Sequence, residues 1–301
     1  MTEKFDVAPQ PVAGPPVRPV SVAGFRRAGL ARALREATYE VLPFRTTEEK
    51  VLAHVPPDVA LTVTTTETKG LGPTLDLAVR LRRHGYRAAP HLAARLVRDE
   101  AHLADIVAQL SEADVDAVFV VAGDAAEPTG DFPDALSLLE GLKDLGHRFS
   151  TVGIGGYPEG HAEIAPDAIS RALDAKSPHA TQIITQLCFD PSTTLEWARA
   201  VRAQGVDLPI RVGIPGAVNR QKLIRISSTL GLGQSARFLR KQRGMFWRFF
   251  LPGGYSPNRL VQSLSSTFGQ PDNHLDGLHV FTFNELAETE SWRQNWLARL
   301  S

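Results

Sequence analysis

Cysteine is nearly absent. Cys188 is the single one in 301 residues. One thiol excludes an intramolecular disulfide framework and a cysteine-based zinc cluster. It fits a reducing compartment, and the cytoplasm is the expected location. Long apolar runs are missing too. None approaches the roughly 18 residues that cross a bilayer, so no membrane partner is expected. Net charge is zero, with 33 Lys and Arg against 33 Asp and Glu. Without a surplus of cations there is no general field to gather nucleic acid or an anionic membrane. Residues 1–24 are rich in Pro and Val and lack an apolar signal core. They read as a flexible tail, not a targeting peptide. Residues 25–301 read as one domain, long enough to bury a full core.

Within that domain, short β-rich runs alternate with amphipathic segments. The predicted strands are 38–42, 59–65, 86–90, 116–122, 150–155, 182–189, 210–214 and 278–283. They are almost continuously apolar, as parallel strands covered on both faces should be. Helical spacing lies between them. Leu103, Ile106, Val107 and Leu110 follow a candidate cap at Asp99. Pro133 is expected to start a helix that Gly146 ends, and Pro191 another that Gly205 ends. Eight strands, each with a helix after it, predict an α/β fold, a (β/α)8 barrel. An open doubly wound sheet is the competing arrangement. Two pieces exceed the minimal barrel. A helix at 25–36 precedes the first strand and is expected to pack across the barrel bottom. An insertion at 231–274 separates strands seven and eight and holds a basic, aromatic stretch at 237–250.

In such a barrel the chemistry sits at the carboxyl ends of the strands. Glu40 stands in the first strand, with Thr64, Thr65 and Glu67 at the end of the second. His91 ends the third and Asp124 the fourth. Tyr157, Glu159 and His161 follow the fifth, and Gln186 and Asp190 belong to the sixth. Asn219 lies beyond the seventh, and Asn284 and Glu285 end the eighth. Asp190, just before Pro191, reads as a helix cap, and a lone His such as His91 as packing. Glu40 is harder to treat that way. A buried lone carboxylate costs several kcal/mol unless it is paired or protonated. It is either a structural ion or a catalytic acid whose carboxyl is expected to titrate high. Gln186 is a buried amide that needs partners.

The motifs in order resemble the methylenetetrahydrofolate reductase family. YEVLPFRT at 39–46 is similar to that family's FEFFPPRT, and APHL at 89–92 to its PHLT. VAGD at 121–124 resembles LRGD. GGYPEGHAE at 155–163 resembles AGYPEGHPE, and TQLCFD at 185–190 resembles TQFFFD. The similarity runs from about residue 39 to 227. The resemblance implies a TIM-type barrel in one-carbon metabolism, feeding methyl groups toward methionine. The implied substrate is a small-molecule folate, and the chain would act as a monomer or small homo-oligomer. Glu40 would be the general acid that opens the folate's five-membered ring. Asp124 would sit against the pterin and favour the developing cation, and Gln186 would hydrogen-bond the pterin.

The departures bear on the cofactor. The family's flavin-phosphate Arg, two residues before the Asp, is Ala122 here. Its Tyr in the second-strand motif is Thr65, and the Phe lining the folate side corresponds to Ile226. No C-terminal regulatory domain is expected. The chain thus resembles a short, flavin-independent branch in which NADH passes hydride directly. Thr64, Thr65, His91, Tyr157, Glu159 and His161 would line the dinucleotide site, with Glu67 near the same mouth. FAD-mediated reduction and a folate-binding module fed by an electron-donating partner are the alternatives. The GLGQSA run at 231–236 lacks the strand-and-helix context of a nucleotide fingerprint. His274 and His279 have no carboxylate or Cys at ligand spacing, so no metal is expected. Cys188, Trp292 and Trp296 read as packing.

Overall fold

The computed structural model describes residues 22–161, 164–188, 190–217, 257–270 and 274–301. Within them the eight strands close into a parallel barrel in chain order. The strands are β1 (Thr38–Val41), β2 (Ala60–Val63), β3 (Ala88–Ala93), β4 (Ala117–Val121), β5 (Thr151–Gly156), β6 (Gln182–Thr185), β7 (Ile210–Pro215) and β8 (Leu275–Phe281). Closure is made by β8, which pairs with β7 and with β1. The open-sheet alternative is thereby excluded.

The outer layer is α1 (Val22–Arg35), α2 (Thr47–His54), α3 (Gly72–Arg83), α4 (Glu100–Glu112), α5 (Ala135–Asp144), α6 (Pro166–Lys176) and α7 (Pro191–Ala203), then α8 (Pro257–Leu264) and α9 (Leu286–Leu300). Local chemistry explains their ends. Asp99 accepts from the His102 amide at 2.7 Å and starts α4. Asp134 forms a capping box with Ser137 at α5, so Pro133 precedes the cap instead of starting the helix. Asp190 caps α7. Gly146 and Gly205, both at positive φ, follow α5 and α7.

Helix α1 begins at Val22, inside the stretch expected to be tail, and lies along α9 and the start of β8. Arg27 donates to the carbonyls of Leu300 and Arg299, and Arg32 pairs with Asp276 at 2.7 Å. Just past the end of α1, Arg211 of β7 donates to the Glu36 carbonyl at 2.7 Å and to Gln182 at 2.9 Å.

Alternation along each strand divides the side chains between two environments. On β1, Tyr39 points outward to Glu290 of α9. Thr38 and Glu40 point into the barrel toward His279 of β8. Gly153 on β5 leaves interior space that Phe119 fills, since a Cβ there would lie 2.9 Å from the Phe119 ring.

The strand boundaries depart most from the sequence reading at β3, β6 and β8. β3 runs on to Ala93 because His91, Leu92 and Ala93 pair with β4. β8 starts and stops earlier than 278–283 because its pairing with β7 begins at Leu275. β6 stops at Thr185, so Gln186 lies just beyond the strand. Of the insertion, α8 buries Leu260, Val261 and Leu264. Trp292 and Trp296 both donate to Asn258 at 2.8 Å, which fits their reading as packing. Residues 218–256, with Asn219, Ile226, the GLGQSA run and the basic stretch, lie outside the described residues. No described helix is long and apolar enough to cross a membrane.

Candidate active site

At the carboxyl end of the barrel, Glu40 lies between two histidines. Its Oε2 is 3.4 Å from His279 Nε2 and 3.7 Å from His91 Nε2. His279 is fully buried, and its Nδ1 lies 2.8 Å from the Thr38 hydroxyl, two residues before Glu40. His91 packs edge-on against Phe119 at 4.7 Å. The Glu40 backbone carbonyl accepts from the Thr282 hydroxyl at 2.6 Å.

The electrostatics correct one expectation. Burial does push the Glu40 carboxyl upward. The His279 hydrogen bond and the charges of His91 and His279 outweigh it and hold the carboxyl below its ordinary value. The Thr64 hydroxyl, beyond strict hydrogen-bonding geometry, acts in the same direction. Glu40 at rest is therefore a carboxylate. A sequence shows a lone acid in an apolar strand, but it does not show which strand closes against it.

Burial holds His91 down to about 4, against the raising effect of the Glu40 charge and with the lowering effect of His279. His91 is thus neutral at physiological pH. Its Nε2 is buried and has no hydrogen-bond partner among the described residues, and neither has the Thr62 hydroxyl. Orphaned buried polar atoms carry a desolvation cost that a bound polar ligand relieves.

A pH dependence follows. Between the unfolded His value near 6.5 and about 4, the unfolded chain takes up a proton that folded His91 refuses. Stability therefore falls as pH drops through that window. At about 1.4 kcal/mol per unit the His91 contribution is roughly 3 kcal/mol. Urea denaturation of wild type and His91→Gln between pH 7 and 4 measures it. The variant should lose less stability than wild type, and equal losses would remove His91 as the source.

The other proposed residues fall into separate groups. Asp124, exposed after β4, faces Tyr157, whose phenol is raised first by burial and then by the Asp124 charge. Tyr157 meets His161 edge-on at 5.6 Å, and Glu159 accepts from the Cys188 thiol at 3.3 Å. Burial is the main cause that pushes this thiol up to about 11. Gln186 spends its side-chain oxygen on the Leu187 amide at 2.9 Å. The Thr65 hydroxyl donates to the His91 carbonyl at 2.6 Å and contacts Thr74 at 3.1 Å. That ties β2 to β3 and α3. Glu67 is exposed on the turn at 66–70. Ile226 is outside the described residues.

The sequence reading weighed His279 only as a metal ligand and gave Thr38 no role. Both carried a usable signal. His279 interrupts an apolar strand as Glu40 does, and Thr38 shares Glu40's face of β1. His274, also set aside for want of a carboxylate, lies 3.0 Å from Asp207. Among the described residues no group of three or more His, Cys, Asp or Glu could hold a metal ion.

The family model for methylenetetrahydrofolate reductase matches residues 49–234, more than half of the chain. The chain belongs to the methylenetetrahydrofolate reductase family. A 92-residue stretch is 32% identical to methylenetetrahydrofolate reductase 2 of Saccharomyces cerevisiae, covering 28% of this chain and 15% of that protein. The chain thus matches a small part of the length of its curated relative. Among solved structures it is similar to 2,3-dimethylmalate lyase, of the PEP mutase/isocitrate lyase superfamily. That match has a TM-score of 0.43 and 13% identity over 80% of this chain and 94% of that one. It is also similar to oxaloacetate acetylhydrolase, at a TM-score of 0.45 and 12% identity over 81% and 93%. These likenesses are too loose to carry an argument, and the barrel rests on the strand pairing above.

Proposed function

We propose that this family member reduces 5,10-methylenetetrahydrofolate to 5-methyltetrahydrofolate, with NADH as direct hydride donor and without flavin. The observation that carries the reading is Glu40, a carboxylate between two histidines at the barrel mouth. Protonated Glu40 gives its proton to N10. The bond from N10 to the methylene carbon breaks and leaves an N5 iminium cation. NADH supplies the hydride that adds to that carbon, giving the N5-methyl group and NAD+. Glu40 is left as a carboxylate and regains a proton from solvent, so each turnover consumes one NADH and one proton.

The resting carboxylate is compatible with an acid role. Bound folate and nicotinamide strip water from Glu40, which raises a carboxyl. His279 at 3.4 Å keeps the carboxylate in place until then. Asp124 favours the iminium by charge, and the free NH2 group of Gln186 addresses the pterin. Thr64, His91, Tyr157, Glu159 and His161 face the dinucleotide. Glu67 and Ile226 belong to the rim of the same reading, and Thr65 supports it from behind through the His91 carbonyl.

The residues present do not fit a flavin well. Ala122 offers no cation for its phosphates. Arg95 on the neighbouring β3 exit spends its guanidinium on the carbonyls of Ala125 and Pro133, each at 2.8 Å. The Thr65 hydroxyl is already engaged. The cytoplasm is the compartment proposed for this chemistry.

The test is NADH oxidation by purified protein supplied with methylenetetrahydrofolate and NADH deuterated on the transferred position. Direct transfer puts deuterium into the methyl group in protein that has no visible flavin band. A stoichiometric yellow chromophore, or loss of the label to solvent, sinks the flavin-free version. Folate binding without NADH oxidation favours the partner-dependent binding module instead.

A further inference from the structure

Strand β8 ends in an unusual way. Phe283 and Asn284 are consecutive non-glycine residues at φ 50° and 59°. A left-handed pair of this kind is strained, most of all at a bulky Phe, and persists only where the surroundings hold it. Asn tolerates this region better than most side chains. The surroundings here are a closed set of hydrogen bonds to the exit of β1.

The β1–β8 pairing stops at Glu40 and Phe281. Three residues beyond Phe281, the Asn284 side-chain amide takes over as a substitute strand opposite Leu42. Its Oδ1 accepts from the Leu42 amide at 2.9 Å, and its Nδ2 donates to the Leu42 carbonyl at 3.0 Å. Nδ2 also donates to the Thr47 hydroxyl at 2.8 Å, which donates to Leu42 O at 2.7 Å and accepts from Phe44 N at 3.2 Å. The Asn284 amide N–H donates to the Thr282 hydroxyl at 3.1 Å, and that hydroxyl donates to Glu40 O at 2.6 Å. Asn284 is 6% exposed, and Thr47 and Thr282 are fully buried. Glu40 in β1 and Leu42 just beyond its end are thus both tied to one turn.

We propose that Asn284 is a positioning residue for Glu40, whose strained turn and amide clamp fix β1 so that the carboxylate stays against His279. This rests on the reductase reading of Glu40 for its kinetic consequence, but not for its geometric one. A merely structural Asn would stabilise the loop without controlling the acid. The geometry argues otherwise, because the clamp closes on the backbone of the acid itself and of the residue two beyond it. Among the described residues, the charged or titratable groups facing the carboxylate are His279 from β8 and His91 from β3. The hydroxyl of Thr64 after β2 acts with them.

The test uses Asn284→Gly, which accepts the left-handed backbone but lacks the amide. Thr47→Val, which breaks the same clamp from α2, is the second variant should the first fold poorly. Leu110→Ala, a cavity in α4 on the outer layer, is the control for lost stability. Glutamate carboxyl 13C resonances, with Glu40 assigned from Glu40→Gln, follow the titration of Glu40 in each full-length protein. In the clamp variants the Glu40 midpoint should rise toward the ordinary carboxylate range, and in Leu110→Ala it should stay. For methylenetetrahydrofolate reduction, kcat should fall by roughly 10- to 100-fold, the scale of a sub-ångström to 1 Å misplacement. KM should change far less, and Leu110→Ala should keep the wild-type kcat. An unmoved Glu40 midpoint in a folded clamp variant overturns the proposal, whatever the turnover. A wild-type protein that binds folate and does not reduce it overturns the reductase reading alone, and the titration still decides the clamp.

Discussion

Glu40→Gln should turn over about 10³-fold more slowly than wild type, with folate binding largely intact. The substitution keeps shape and leaves an oxygen to accept from His279, whose Nε2 lies 3.4 Å from the native carboxylate. It removes the one group at that position able to deliver a proton to N10. General acids contribute roughly 10²- to 10⁴-fold, and 10³-fold corresponds to about 4 kcal/mol of barrier. The contacts that hold the Glu40 carboxyl below its ordinary value favour the charge in the folded state, so the amide should cost some stability while leaving the barrel folded. Steady-state NADH oxidation beside calorimetric folate binding separates the two effects. Wild-type-like turnover would remove Glu40 from the mechanism, and loss of binding with normal turnover at saturation would make it a substrate anchor.

The second large effect lies on the opposite face of the same strand. Arg293 of α9 is 2% exposed. It holds Glu290 with two hydrogen bonds of 2.9 Å and donates to the Leu34 carbonyl of α1 at 3.3 Å. Glu290 in turn accepts from the Tyr39 hydroxyl and from Gln294, each at 2.7 Å. Burial, and then the Glu290 charge, push the Tyr39 phenol far above its ordinary value, so it stays a donor. Removing the cation leaves Glu290 in the core with neutral partners only. Arg293→Met should therefore cost roughly 3–5 kcal/mol, the usual penalty for stranding one partner of a buried pair. Urea denaturation reads it directly. The double change Arg293→Met with Glu290→Gln should recover part of the loss, because the two sites are coupled. A single-variant loss below about 1 kcal/mol would mean that water or rearrangement compensates the carboxylate, and that this network is not what ties β1 to α1 and α9.

Much of this protein is legible without coordinates. Eight apolar runs separated by capped helices determine eight parallel strand–helix units, because covered parallel strands and amphipathic helices each have their own period. Asp99 and Asp190 can be read as caps because capping is local. Glu40 is conspicuous because a carboxylate in an apolar strand demands an explanation. The motifs from 39 to 227 carry the family for the same reason, since each lies within one strand and its exit. What surrounds Glu40 depended on closure. His279 is 239 residues away in the chain, and only the β1–β8 pairing brings it to 3.4 Å. That contact reverses the expected shift of the carboxyl, since neighbours outweigh burial once they are this near. The Asn284 clamp is hidden for the same reason. A left-handed pair and an amide that imitates a strand are set by where β8 stops, and strand ends are decided by pairing, not by residue type. The sequence alone determined eight strand–helix units and singled out Glu40. The tertiary structure decided the acid's partners, its resting charge and the turn that holds it in place.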